Sequence, residues 1–281
     1  STYLWNNGIK TQKNTISKSG IYSVIATNQY GCTTTDTVEV NILAPYQEQI
    51  GVVTYGKTEN SSPNSVLVTW ERTLNKRTFM YEVWRETSSL GTYEKIGEKM
   101  FGEESVFEDA SADVRVKQFR YKLVTIDSVC LNKAESTPHR TMLLQTGLTL
   151  ENHASLDWSF YEGLDFNTYK IYRGTTLGTY IEVDEVTSDA SEWVDTDLYQ
   201  AGWNYRIGMV LLKQVNTLSP FLKAESGPFN LSISNIAEAE TKVISLNNHK
   251  VFIYPTCASK EIFVEFDSDI FTADIKLVSM N

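Results

Sequence analysis

Cysteine and histidine are both scarce in this 281-residue chain, three of each. With so few soft ligands, a zinc site at ordinary spacing cannot be assembled, and no metal or cofactor is expected. No run approaches the roughly 20 apolar residues that a membrane-spanning helix needs. The opening residues, Ser1-Thr-Tyr-Leu-Trp5, read as a strand rather than a signal peptide. The chain is therefore expected to be an internal or C-terminal piece of a longer protein, with any targeting signal upstream. Basic side chains are outnumbered, 25 against 35 acidic, for a net charge of −10. Such a chain repels a phosphate backbone, which excludes nucleic acid as a partner. Enzyme signatures are missing as well: there is no G-x-S-x-G elbow, no H-E-x-x-H, no Gly-rich phosphate loop and no C-x-x-C. The expectation is a non-catalytic chain.

What is present is short alternating runs rich in Val, Ile, Thr, Tyr and Trp, broken by Gly, Asn, Asp and Ser. Val66-Leu-Val-Thr-Trp70, Tyr81-Glu-Val-Trp-Arg85, Tyr121-Lys-Leu-Val124 and Tyr169-Lys-Ile-Tyr-Arg173 each put polar and apolar side chains on opposite faces of a strand. Helical periodicity is nearly absent. An Ala/Glu-rich stretch at 236–244 reads as linker. Hydrophobic residues at 41% are enough for packed cores, so the fold class is all-β.

An internal repeat sets the architecture. Trp70, Tyr81 and Arg85 recur as Trp158, Tyr169 and Arg173, each 88 residues later. Leu90-Gly-Thr-Tyr93 recurs as Leu177-Gly-Thr-Tyr180 at a shift of 87, Phe107-Glu-Asp109 as Trp193-Val-Asp195 at 86, and Tyr121-Lys-Leu as Tyr205-Arg-Ile at 84. The shift shrinks only between strands, as loop deletions would make it. Each unit has the size of an immunoglobulin-like sandwich, about seven strands in roughly 100 residues. Charge is uneven: +1 over residues 1–44, −1 over 45–145, −7 over 146–233 and −3 over 234–281. Separate modules are implied.

A Trp on the second strand, then Tyr-x-Val/Ile-x-Arg on the third, resembles fibronectin type III modules of the kind found in secreted proteins of the Bacteroidetes. Asp127-Ser-Val-Cys-Leu-Asn-Lys-Ala-Glu-Ser136, closing with His139-Arg-Thr-Met-Leu143, is similar to the end of such a module, with Leu131 where a Gly is usual. Tyr3-Leu-Trp-Asn-Asn-Gly8, Ser19-Gly-Ile-Tyr-Ser-Val24 and Asn28-Gln-Tyr-Gly-Cys-Thr33 resemble the back half of a PKD-like or Ig-like repeat. Val251-Phe-Ile-Tyr-Pro255 with Ala258-Ser-Lys-Glu-Ile-Phe-Val-Glu265 resembles the start of a type IX C-terminal sorting domain, Tyr254-Pro-Thr-Cys-Ala258 standing for the usual Y-P-N-P-A. The resulting division is a truncated Ig/PKD-like module at 1–44, fibronectin III-like modules at 45–145 and 146–233, a linker at 234–249 and a partial sorting domain at 250–281.

Individual residues were weighed for chemistry. Trp70 and Trp158 occupy core positions. Trp84 and Tyr172 alternate with the core residues of their strands and point to the other sheet face, where an exposed ring could stack on a sugar; shielding of a neighbouring strand or module is the structural alternative. Trp203 is expected to pack at the start of its strand. His139, His153 and His249 fall at module joints or in the linker and read as exposed and chemically idle. The acids Asp184, Glu185, Asp189, Glu192, Asp195 and Asp197 lack the D-x-D-x-D-G pattern of a calcium loop and read as a solvated rim. Asp36-Thr37-Val38 and Asp127-Ser128-Val129 fit the Asp-Ser/Thr-aliphatic pattern that resembles the Bacteroidetes O-glycosylation motif, making Thr37 and Ser128 candidates. The resemblance of residues 1–44 also implies that the disulfide partner of Cys32 lies in the missing front half. Cys32, Cys130 and Cys257 fall in three different modules.

The function these readings imply is that of the C-terminal region of a secreted, surface-attached, adhesin-like protein. Its modules would act as monomeric spacers, and its tail would be recognised by the type IX secretion machinery. The alternatives are modules that bind polysaccharide or cell-surface glycan, and the accessory tail of a hydrolase whose catalytic part lies upstream.

Overall fold

The computed structural model describes residues 1–56, 65–74, 76–176, 179–217, 228–239, 242–246, 249–254 and 263–266. Every regular element among them is a strand. The chain divides into two compact units, Ser1–Pro45 and Tyr46–Asn281.

The first unit is one antiparallel sheet, β1 (Thr2–Trp5), β2 (Gly20–Thr27) and β3 (Thr33–Val40), in the order β1-β2-β3. None of its residues is buried. A single sheet of this size has no second layer on which to place an apolar face.

The second unit begins with a sandwich of eight strands: β4 (Val52–Tyr55), β5 (Val66–Thr69), β6 (Thr78–Glu86), β7 (Tyr93–Met100), β8 (Val106–Asp109), β9 (Arg120–Asp127), β10 (Lys133–Glu135) and β11 (His139–Arg140). One sheet has the order β4-β5-β8; the other has β10-β9-β6-β7, with β11 also on β9. A second sandwich follows: β12 (Leu144–Leu148), β13 (His153–Trp158), β14 (Thr168–Thr176), β15 (Thr179–Thr187), β16 (Glu192–Leu198), β17 (Asn204–Val215), β18 (Phe229–Ile233) and β19 (Ala237–Glu238). Its sheets, β12-β13-β16 and β15-β14-β17-β18 with β19 on β17, repeat the first strand for strand. Three strands facing four in this order are the fibronectin type III variant of the immunoglobulin-like sandwich. Even a register shift recurs, between Val83 and Trp84 on β6 and between Ile171 and Tyr172 on β14. A last antiparallel sheet joins β20 (Lys242–Leu246), β21 (His249–Tyr254) and β22 (Phe263–Phe266).

The alternating runs place one face of most strands in the core, while β5 is buried on both faces. Trp70, Tyr81, Val83, Tyr121 and Leu123 are fully buried in the first sandwich, as are Leu156, Tyr169, Ile171, Tyr205 and Ile207 in the second, with Trp158 close to it. The Trp70 and Tyr81 rings lie 5.1 Å apart and those of Trp158 and Tyr169 5.7 Å apart, tilted or edge-on as aromatic quadrupoles favour.

The polar residues of the repeat close each sandwich. Arg85, on β6, reaches Asp109, on β8, at 2.9 Å, and the Tyr121 hydroxyl on β9 donates to the same carboxylate oxygen at 2.9 Å. In the second sandwich Arg173 reaches Asp195 at 2.7 Å, and the Tyr205 hydroxyl donates to it at 2.9 Å. Each cluster ties one sheet to the other. Burial, reinforced by the Asp109 charge, pushes the Tyr121 phenol well above its ordinary pKa, so it stays a donor.

One expectation of the domain division needs correction. The stretch 234–249 is not a free linker. Ala237 and Glu238 pair with β17, and Ala239 is buried. The Asn235 side chain accepts from Leu144 N–H at 2.7 Å and donates to the Leu144 carbonyl at 2.9 Å. Residues 234–239 thus finish the second sandwich, and 242–246 open the last sheet. Leu131, standing where a Gly is usual, keeps the left-handed backbone at φ 55°. The turn is held because Asp127 accepts from Val129 N–H and Cys130 N–H, although a left-handed residue with a side chain costs about 1–2 kcal/mol.

Replacing one partner of a buried ion pair strands the other charge. Asp195→Ala is expected to lower the unfolding free energy in urea by about 3–5 kcal/mol. Asp197→Ala removes the other carboxylate on Arg173, which is 61% exposed, and should cost no more than about 1 kcal/mol. Equal losses at the two positions would refute this account.

Candidate functional site

The sequence pointed to Trp84 and Tyr172, and both lie on the outward face of the larger sheet of their sandwich, half-buried. Neither ring stands alone. In the first sandwich the Lys122 ammonium sits 5.6 Å from the centre of the Trp84 ring and 4.7 Å from that of Tyr93. The Trp84 indole N–H donates to Glu82 at 3.1 Å, which also takes Lys133 at 2.8 Å and Lys95 at 3.2 Å. Burial alone would raise the Glu82 carboxyl; the two ammonium groups outweigh it and hold the group below its ordinary pKa.

In the second sandwich the Arg206 guanidinium lies 3.8 Å from the Tyr180 ring centre and 5.4 Å from that of Tyr172. The same aromatic–cation–aromatic stack is therefore built twice, from Trp84, Lys122 and Tyr93 and from Tyr172, Arg206 and Tyr180. Cation–π contacts of this kind contribute about 0.5–2 kcal/mol each. Lys122 and Arg206 escaped notice as partners of the rings. Their signal was available: each follows a core tyrosine by one residue, which turns it outward.

A third region lies where the two sandwiches meet. The Tyr161 hydroxyl takes the Val53 N–H at 3.0 Å and lies 2.9 Å from His139 Nδ1. Ser232 Oγ donates to the Val53 carbonyl at 2.7 Å, and Ile233 N–H to Thr54 Oγ1 at 2.8 Å. Glu162 holds Arg120 at 2.6 Å and Arg140 at 2.7 Å; Glu71 holds Lys213 at 2.7 Å. Buried apolar residues of both sandwiches form one continuous cluster. Beside it opens a cleft of about 400 Å³, walled by Ile50, Leu164, Leu211 and Val215 and rimmed by Glu48 and Glu71.

His139 is thus buried, contrary to its expected exposure, because β11 returns along β9 and places the ring against Tyr161. His153 is half-buried, with Nδ1 at 2.8 Å from the Asp195 carbonyl. The acids of the expected rim go to separate partners: Asp195 and Asp197 to Arg173, Asp184 to the Trp193 indole N–H, Asp189 to the Thr187 hydroxyl. Among the described residues no three His, Cys, Asp or Glu side chains gather at metal-binding distance. Thr37 and Ser128 are exposed, on β3 and in the turn after β9. Cys32 and Cys130 are free, exposed thiols. Trp203 packs under Arg173, 3.9 Å from the guanidinium carbon, and edge-on to Tyr199. Cys257, the Tyr254-Pro-Thr-Cys-Ala258 motif beyond Tyr254, and the His249 side chain lie outside the described residues.

No protein-family model matches the sequence, and no curated protein matches it. Among solved structures, the chain is similar to the FN1–FN3 domains of chicken CNTN1, with 12% identity over 68% of this chain and 71% of that one at a TM-score of 0.25. It is also similar to a two-domain fibronectin type III segment of chicken tenascin, with 15% identity over 58% of this chain and 87% of that one at a TM-score of 0.22. Superpositions this loose leave the module type resting on strand order and on the residues that recur in both sandwiches.

Proposed function

We propose that this chain is a non-catalytic, stiff spacer and interaction segment of a secreted, adhesin-like surface protein. In this reading it works as a monomer and leaves the cell as cargo of the type IX secretion machinery, addressed by residues 250–281. The observation that carries the spacer reading is the joint: the two sandwiches share a hydrophobic cluster and a set of buried hydrogen bonds. A flexible tether would have left these surfaces wet. Sugar binding at Trp84 is less well supported, because the cation beside its ring, Lys122, is already neutralised by Glu135 at 2.8 Å.

The joint also has a proton requirement. The Tyr161 oxygen accepts from Val53 N–H, and its own proton can go to His139 Nδ1 when the imidazole is neutral and carries its proton on Nε2. Burial pushes the imidazole pKa from 6.5 down to about 4. A base with a depressed folded-state pKa adds stability above its unfolded value and loses it as the pH falls toward the folded one. Between about pH 6.5 and 4 the loss reaches roughly 3 kcal/mol.

Three outcomes are expected. Wild-type protein should show a falling urea midpoint between pH 7.5 and 4.5, and His139→Gln should flatten that slope; an unchanged slope would remove His139 from the account. Spin labels on Cys130 and on an introduced Leu198→Cys, with Cys32 and Cys257 changed to serine, should report one narrow distance distribution, whereas a broad one would sink the stiff spacer. Deleting residues 250–281 should leave the protein inside the cell envelope in a type IX-competent host. Normal export would overturn the secretion reading.

A further inference from the structure

The two outward stacks differ in how their cation is neutralised. In the first sandwich Lys122 is paired with Glu135 at 2.8 Å, and its neighbour Arg120 with Glu86 at 3.3 Å. The register makes Arg206 the counterpart of Lys122 and Asn204 that of Arg120. Gly174 then stands in place of Glu86, and Ile233 in place of Glu135. Both carboxylates are gone from the second sandwich. Among the described residues, the Arg206 guanidinium has no ion pair and no hydrogen bond. Three buried polar atoms at this spot lack partners: Arg206 Nε, Asn204 Oδ1 and the Tyr180 hydroxyl. Buried polar atoms are nearly always satisfied by protein, water or ligand.

Gly174 leaves room for this packing, since a Cβ there would lie 2.5 Å from the Thr179 carbonyl oxygen and 3.0 Å from the Tyr180 ring. Burial, only partly offset by the tyrosines, lowers the guanidinium pKa, as fits a cation short of both water and a counter-charge. The nearest carboxylates in the register are Glu182, opposite Tyr172 and held by Lys170 at 2.9 Å, and Glu238, opposite Asn204. Neither pairs with Arg206.

We propose that Arg206, Tyr172 and Tyr180 form a binding site for a carboxylate-bearing sugar, such as a uronate residue of an acidic polysaccharide. A guanidinium matches a carboxylate in a two-point, charge-assisted contact. The flanking tyrosines supply flat apolar surface for the sugar ring. The proposal is independent of the spacer reading, since a rigid joint neither needs nor creates an unpaired cation.

Calorimetric titration of the full chain with trigalacturonate and with its methyl ester tests the charge requirement without any substitution. The acid should bind, and the ester, with the same rings and no charge, should bind at least about tenfold more weakly. Arg206→Gln should abolish binding of the acid while keeping a cooperative melt, and Lys122→Gln in the first sandwich should leave it unchanged. Equal binding of acid and ester, binding that survives Arg206→Gln, or no binding by folded wild-type protein would each overturn the proposal.

Discussion

Each sandwich depends on a charged group placed where charge is least welcome. Asp109 and Asp195 are almost completely buried, and a bare carboxylate there would be prohibitive. Arginine and tyrosine from two strands of the facing sheet make it tolerable. Three strands must therefore arrive in register before the carboxylate is satisfied. A slip of one residue would turn Arg85 or Arg173 to the wrong face and leave an unpaired charge inside. Apolar burial supplies most of the driving force, while this cluster specifies which of many apolar packings is correct.

That dependence explains how much was legible in the sequence. Arg85, Asp109 and Tyr121 recur as Arg173, Asp195 and Tyr205, and this recurrence alone carries the tandem architecture. Residues that act within one strand, or through a fixed spacing, can be read in this way. The joint could not be. His139 becomes buried only because Tyr161 of the next sandwich covers it, and nothing near position 139 announces a partner 22 residues away. The same holds for 234–239, where composition suggested a linker and Asn235 instead clasps the backbone of Leu144, 91 residues earlier. The partly covered faces of Trp84 and Tyr172 were half legible: alternation gave the outward direction but not the cations that cross from an adjacent strand.

Duplication and divergence are visible side by side. The inward-facing cluster is preserved in kind between the two sandwiches, while the outward-facing stack keeps its rings and its cation but exchanges Glu86 and Glu135 for Gly174 and Ile233. Change has concentrated on the face that does not decide the register. Such a division lets a repeated module vary its surface without endangering its fold.

The edge strand β15 has a further consequence. It closes one side of the second sandwich, paired with β14 on one side only among the described residues, and it carries Glu182, Asp184 and Glu185 at exposed positions. Two modules of equal topology on one chain are exposed to a particular error, in which a strand of one completes the sheet of the other while both are unfolded. Acidic side chains along an open edge repel an incoming strand of the same acidic chain. Tandem, similar sandwiches on one chain would be protected by that repulsion from exchanging strands with each other during folding.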